Sequence, residues 1–452
     1  HYTRIIILKN MNKPVFVISC AIDTYSGYGS RSRDIVKALI ELDKYDVKIL
    51  PQRWGSTPMG FIQDHPDWEF LTPHLLNNPQ LPSQPDIWCQ ITVPNEFQPL
   101  GKYNIGITAG IETTIAPAEW VEGCQRMNLV LGSSKHTIDV LRNSKFEKRD
   151  QKSQQVVAHI EWTGDGDILF EGANTEVYKP DNTPCKIDFN IKEDFAYLFV
   201  GHWMQGQIGE DRKNVGLLIK AFYETFKNKT KSPALILKAS TVSTSYMDRD
   251  ELLKRIRAIK STIKSFKLPN IYLLHGDFTN DEMNSIYNHS KVKAMVSLTK
   301  GEGFGRPLLE FSLTKKPIIS TNWSGHTDFL DPELTTLLPG TLTKVHPTSA
   351  NNMLLKEAEW FSVDTGHVGH YLKDVFENYK NYISKSKKQA HHSKTNFSFG
   401  KMKEKLNEIL DTKIPEFPKQ VSLNLPKLKK IGEGNKTELP KLKLPKLKKI
   451  EA

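Results

Sequence analysis

The chain has 452 residues, 38% hydrophobic and 25% charged, with a formal net charge of +11. That length exceeds what one hydrophobic core usually organises, so two domains plus appended segments are expected. No uninterrupted apolar run approaches the length needed to cross a bilayer. Four scattered cysteines (Cys20, Cys89, Cys124, Cys185), without metal or Cys-x-x-Cys spacing, point to reduced thiols in a cytosol rather than a disulfide framework.

The opening HYTRIIILKN is too short and poorly flanked for a secretory signal, and Met11 is a plausible natural start. PVFVISCA (Pro14 to Ala21) reads as a buried strand. The glycine turn DTYSGYGSRSRD follows, then a helix over SRDIVKALIELDK with Ile35, Val36, Leu39 and Ile40 on one face. DVKIL, DIWCQIT and YNIGITAG read as further strands, EWVEGCQRM as a helix, NLVLGSS as strand and turn, and KHTIDVLRNS as a helix. The charged stretch from Lys145 to Gln155 reads as a loop, and CKIDFNIKED as a linker. The pattern restarts at FAYLFVGH (Phe195 to His202). Helix KNVGLLIKAFYETFKN, strand PALILKAS, helix RDELLKRIRAIKSTIKSF, strand NIYLLHG and helix NDEMNSIYNHS lead to strand KAMVSL. Residues from about Trp360 to Leu410 read as helical. Two successive runs of alternating strands and helices imply α/β layers with parallel sheets, in two Rossmann-like units.

The strand KAMVSL runs into KGEGFGRPLLE (Lys300 to Glu310). There a glycine turn carries Glu302, and the helix after it carries Glu310. Backbone N–H groups at a glycine turn and a helix start suit a diphosphate or sugar hydroxyls. An ionised carboxylate there acts only as a hydrogen-bond acceptor. The plainer reading is an ordinary βα turn whose glycines serve geometry and whose acids favour the helix dipole. A second segment, GEDRKN, puts Arg212 and Lys213 just before a helix N-terminus, where two cations would stabilise a leaving nucleoside diphosphate. A third, Gly27–Tyr28–Gly29, lacks the full dinucleotide fingerprint, since Ser32 holds its third position. No acid closes the second strand either, which argues against an NAD enzyme. Arg31 and Arg33 near that turn read as surface residues, Arg33 the more so.

EGFGRPLLE followed by KKPIIST resembles the Glu-x7-Glu signature of retaining GT-B glycosyltransferases of the large family 4 group. The resemblance implies two Rossmann-like domains facing a cleft. It assigns Glu302 and the Gly303, Phe304 and Gly305 amides to the donor sugar, and Glu310 to the donor ribose. It also implies a basic pair on the diphosphate. Lys213 matches one member, while His202 stands where the family has an Arg; Arg212 is the favoured replacement, with a His202 hydrogen bond as the other option. A family histidine near the reacting carbon is missing, and Gly110, Glu112 and Thr113 stand there instead. Glu112 is the candidate for acceptor orientation or a contact near the anomeric centre. The Gly27 and Gly29 amides would approach the donor phosphate or the acceptor. Gly325 and Asp328 match a further family loop loosely. The co-substrate implied is a UDP- or GDP-sugar with no other cofactor. No metal is expected, because no Asp-x-Asp pair stands in the cleft segments.

The expected organisation is an acceptor domain over 11–185, a donor domain over 186–395, a returning helix over 396–412 and a Lys/Pro-rich tail over 413–452. The tail holds eleven Lys against four Glu, so its charge near +7 accounts for most of the chain's excess. Its prolines disfavour a continuous helix, and an extended disordered arm is expected. Attachment to an anionic lipid surface at the inner membrane face, to DNA or to a protein partner is one reading, and a solubilising tail the other. A cytoplasmic enzyme is expected. The acceptor stays open among glycan, lipid-linked and nucleic-acid hydroxyls, with a DNA-base glycosyltransferase, an epimerase and a non-catalytic glycan-binding scaffold as alternatives.

Overall fold

The computed structural model describes residues 13–417, apart from 79, 82, 184–186, 188, 205–206 and 242. Met11, Cys185 and the tail repeats after residue 417 lie outside the described residues. Strands β1 (Val15–Cys20), β2 (Asp46–Pro51), β3 (Ile87–Ile91), β4 (Tyr103–Thr108), β5 (Leu129–Gly132) and β8 (Asp165–Ile168) form one sheet. Its order is β2-β1-β3-β4-β5-β8, with every neighbouring pair parallel. Helices α1 (Gly27–Leu42), α2 (Ala118–Gln125) and α3 (Lys135–Asn143) connect the strands.

The second sheet repeats the plan. Strands β9 (Ala196–His202), β10 (Ala234–Ser240), β11 (Ile271–Leu274), β12 (Val292–Ser297), β13 (Ile318–Thr321) and β14 (Thr336–Leu338) pair in the order β11-β10-β9-β12-β13-β14. All of these pairs are parallel too. Helices α4 (Val215–Phe226), α5 (Tyr246–Ser261), α6 (Asn280–Asn288) and α7 (Arg306–Ser312) form the crossovers. Sequence order explains why β9 reads as one apolar run. Tyr197 and Phe199 enter the core on one face of the sheet, Leu198 enters the core on the other, and no face is left for polar residues.

Each sheet has one place where the chain reverses its direction of winding. In the first it lies between β1 and β3, in the second between β9 and β12. Open parallel sheets bind ligands outside the carboxyl ends of their strands at such a point. The segments singled out in the sequence emerge at these ends: Gly27 follows β1, His202 ends β9 and Glu302 follows β12.

Helices α8 (Thr365–Glu377), α9 (Tyr379–Asn396) and α10 (Phe399–Lys413) close the described chain. Helix α10 returns to the first sheet's side, burying Met402, Leu406, Ile409 and Leu410. Surface ion pairs Lys403–Glu41 at 2.6 Å and Lys413–Asp165 at 2.8 Å border that contact, but such pairs contribute little beside the apolar burial.

Four sequence expectations are corrected. The stretch 145–155 is no simple loop, because β6 (Phe146–Arg149) and β7 (Val156–Ile160) form an antiparallel hairpin. Trp360 belongs to a strand, β16 (Glu359–Val363), paired antiparallel with β15 (Gly340–Lys344), and helix begins only at Thr365. Helix α1 starts at Gly27, so the glycine turn is its first turn, capped by the Ser26 hydroxyl accepting from the Gly29 amide. Arg33 is 3% exposed and Arg31 5%, so neither is a surface residue. Arg33 donates to the Ile22 and Thr24 carbonyls and lies 3.4 Å over the Phe61 ring.

Candidate functional site

The turn after β12 is shaped by what it must pass. A Cβ on Gly303 would come within 2.3 Å of the Ala109 carbonyl oxygen, so only glycine lets this turn lie against the end of β4. Gly305 caps α7 at φ +94°, a conformation that disfavours any side chain. The turn is fixed further by the Glu302 amide donating to the Ser324 hydroxyl at 2.8 Å and the Gly325 amide donating to the Glu302 carbonyl at 2.9 Å.

Glu302 projects from this turn into a cluster of charges. Its carboxylate accepts from the Lys213 ammonium at 2.5 Å and lies 3.6 Å from the Arg212 guanidinium. Arg212 also donates to the Gly301 carbonyl at 3.0 Å and stands 3.3 Å from the Glu112 carboxylate. Burial opposes ionisation of Glu302, but Lys213 and Arg212 outweigh it and hold the carboxyl down to about 2. Lys213 is delivered from the other side by Asn214, which precedes α4 in the left-handed region at φ 57°. Asp211 fastens this entry by accepting from the Val215 amide at 3.2 Å. Burial raises Asp211 to about 6.

These groups border a cavity of about 450 Å³ between the carboxyl ends of the two sheets. Glu302, Gly303, Phe304, Gly305, Arg212, Glu112, His202 and Gly27 line it. Lys213 lies immediately behind, lining a small adjoining recess with Glu302. Gly29 is set back, where a Cβ would collide with the Thr24 carbonyl at 2.3 Å, while Gly27 faces open space. His202 Nδ1 lies 3.0 Å from the Ser240 hydroxyl and 3.1 Å from the Thr241 carbonyl. Desolvation, then Lys213 and Lys238, push its pKa below the ordinary imidazole value. A neutral ring that donates from Nδ1 to Thr241 presents Nε2 as an acceptor. That suits a hydroxyl better than a phosphate, whereas Arg212 brings a charge 3.6 Å from Glu302.

Glu310 is not among the residues lining the cavity. It sits one helical turn behind, accepting from Arg306 Nε at 3.0 Å, with the Tyr287 hydroxyl 3.4 Å away. Burial raises its carboxyl to about 7 against the pull of Arg306, with Asp34 and Glu171 adding to the rise. Arg306 takes the place at the cavity wall and crosses to Asp34 on α1 at 2.6 Å, with Glu171 at 3.7 Å. Arg306 lies inside the same segment, yet nothing local marks it, and only the fold brings Asp34 and Glu171 to it.

Asp328 accepts from the Lys135 amide at 2.8 Å, a structural tie between the two halves. His326 is fully buried, with Nε2 2.6 Å from the Thr321 carbonyl, so it acts as a packed core residue beside the turn. Ser134 caps α3, and Ser133 donates to the Gly303 carbonyl at 3.1 Å. Among the described residues no helix is long and apolar enough to cross a membrane.

No protein-family model and no curated protein sequence matches the chain. Solved structures do match. Sucrose-phosphate synthase from Thermosynechococcus elongatus aligns with a TM-score of 0.58 at 11% identity, covering 88% of this chain and 98% of that one. Anabaena Alr3699/HepE, solved in complex with UDP and glucose, aligns with a TM-score of 0.56 at 10% identity over 88% and 100%. A glycosyltransferase from Rickettsia africae gives 0.55 at 12% over 89% and 100%. The chain therefore has the GT-B fold, two Rossmann-like halves around a cleft.

Proposed function

We propose that the chain is a glycosyltransferase that moves a sugar from a UDP- or GDP-sugar to a hydroxyl acceptor. The observation that carries this reading is the Glu302 carboxylate held between Lys213 and Arg212 at the wall of the cleft cavity. Glu302 pairs with both cations, and Glu112 shares Arg212 with it. A nucleoside diphosphate entering the cavity takes over the cations and frees Glu302 to accept from donor-sugar hydroxyls. The Gly303, Phe304 and Gly305 amides then lie against the sugar. Lys213 and Arg212 stabilise the charge that develops on the β-phosphate as the glycosidic bond breaks. Retention of anomeric configuration and a family 4 relationship rest on the resemblance of the 302–310 segment. In this reading the half from 186 to 395 holds the donor and the half from 11 to 185 the acceptor. Glu310 reaches the donor ribose only if Arg306 swings aside.

Thermal unfolding of the full chain with UDP, GDP and ADP identifies the nucleotide, since a ligand of the native state raises the melting temperature. Hydrolysis of the matching nucleotide sugar then reads the chemistry. Glu302→Gln keeps the side-chain volume, and Lys213→Ala removes the closest cation. Each is expected to reduce turnover by about 100-fold or more, the cost of losing one preorganised charge contact. A chain stabilised by none of the nucleotides, or a Glu302→Gln protein with wild-type turnover, overturns the reading.

A further inference from the structure

The first-half wall of the cavity carries a feature that the donor chemistry does not use. The rings of Tyr28 and Trp54 lie stacked, centroids 3.9 Å apart and planes 23° from parallel, and both line the cavity. Tyr28 is anchored at its far end. Its hydroxyl accepts from the Ala109 amide at 3.1 Å and lies 3.2 Å from the Thr108 hydroxyl, at the tip of β4. Trp54 is half-buried and comes from the segment after β2.

That segment is pinned in place. The Asp23 carboxylate accepts from the Gly60 amide at 3.1 Å and the Ile62 amide at 2.8 Å, and the Tyr25 amide donates to the Pro58 carbonyl at 3.1 Å. Three hydrogen bonds at residues 58, 60 and 62 hold the segment that carries this aromatic face before any ligand arrives. Preorganisation of this kind lowers the entropic cost of binding.

Charge on this wall narrows the ligand. Of the described first-half residues lining the cavity, the only cation is Arg31, and it is already committed to the Phe170 carbonyl at 2.7 Å and the Leu169 carbonyl. Arg53, beside Trp54, is not part of the lining. Glu112 and Glu171 line the wall, and Asp277 joins them across the mouth. Tyr25, at the same mouth, donates to Asp64 at 2.5 Å. Its hydroxyl is pushed up to about 12 by burial, then by Asp64, Asp277 and Asp23. A phosphate-bearing ligand meets repulsion on that wall, where none of the described residues offers it a free cation. Hydroxyl groups meet carboxylates that accept from them.

We propose that Trp54, stacked on Tyr28, is the platform for the acceptor, and that the site selects an uncharged saccharide whose apolar ring face lies on the indole. An aromatic face packs against C–H groups while neighbouring polar groups take the ring hydroxyls, which is how amphipathic ligands are oriented in concave sites. Glu112, which pairs with Arg212, is a carboxylate that lines the cavity together with the platform and the donor turn. Trp54 is a specificity-determining residue in this account. The proposal deepens the glycosyltransferase reading and rests on it for the word acceptor.

The test uses the full chain saturated with UDP. Glucose, N-acetylglucosamine, maltotriose and cellotriose are titrated calorimetrically, beside glucose 6-phosphate as the anionic probe. At least one neutral saccharide is expected to bind saturably. Trp54→Ala should weaken that binding by about tenfold, and Trp54→Phe by about threefold or less, because a smaller ring restores part of the platform. Melting temperatures of both variants check that they are folded. The proposal is overturned if no neutral saccharide binds, if the anionic probe binds more tightly than every neutral one, or if Trp54→Ala leaves saccharide affinity unchanged. Failure of UDP to bind sinks the donor reading instead. Trp54-dependent saccharide binding in that case preserves the platform as a carbohydrate site.

Discussion

At the residue scale, the two acids of the 302–310 segment behave in opposite ways, and their surroundings explain why. Glu302 meets two cations and is held down to about 2, whereas Glu310 shares Arg306 with Asp34 and Glu171 and is raised to about 7. For Glu302 the folded carboxyl lies below its ordinary value of 4.5. Its ionised form therefore stabilises the fold above pH 4.5, and that contribution is lost as pH falls from 4.5 toward 2. The shift corresponds to roughly 3 kcal/mol. In an acid-unfolding series, Glu302→Gln should flatten the stability curve between pH 4.5 and 2 relative to wild type. Parallel curves for the two proteins in that window would show that the buried pair does not govern acid stability.

Glu302, Arg212 and Lys213 could be singled out in the sequence because each motif is local: a few consecutive residues fix a turn and its charges. Arg306 and Trp54 were not legible. Arg306 gains its meaning from Asp34, 272 positions away. Trp54 sits in a segment without periodicity, and its stacking partner lies on another element. Arg33 was misread for the same reason, since nothing near it in sequence announces the Phe61 ring and the carbonyls that receive it.

At the element scale, α7 joins the signature turn to the first half of the chain. Arg306 at its first position holds Glu310 one turn later and Asp34 on α1, so a short helix carries an interlocked set of charges. The folded Glu310 carboxyl lies above its ordinary 4.5, so the folded chain binds a proton more tightly than the unfolded one between pH 4.5 and 7. Stability is therefore expected to fall as pH rises through that range, the reverse of the Glu302 case. Glu310→Gln removes the titration, and its unfolding free energy should be flatter than wild type from pH 4.5 to 7, whatever its absolute value. Denaturant midpoints across that range check the slope, and a wild-type curve that already rises or stays level contradicts the assignment. Elements themselves were readable where apolar periodicity was strong, as in β9 and α4. The β6–β7 hairpin was not, because nearly all its residues are exposed and no buried face imposes an alternating pattern. The strand around Trp360 was hidden for a simpler reason: five residues precede a long helical stretch, and their partner strand is exposed along its length.

At the scale of the whole molecule, the alternation of strands and helices announced two parallel α/β units, but strand order was beyond reach. The pattern β9-β10-β11 then β12 beside β9 depends on which side of β9 each crossover returns to, and no local residue encodes that choice. The close fit of the two halves was equally hidden. It depends on Gly301 and Gly303, where a Cβ would stand 2.4 Å from the Glu112 carbonyl and 2.3 Å from the Ala109 carbonyl. The Arg306–Asp34 pair at 2.6 Å then fastens the same contact from its flank. Gly303→Ala should wedge the halves apart, because backbone rather than a yielding side chain opposes the new methyl. Asp34→Ala removes the fastening without adding bulk. Small-angle scattering of the ligand-free chain should show a larger radius of gyration for both variants, greater for Gly303→Ala, with secondary structure by circular dichroism unchanged. Since closure excludes water from the reacting centre, Gly303→Ala should also lower transfer relative to donor hydrolysis. Scattering curves superimposable on wild type for both variants would show that the halves meet without help from these contacts.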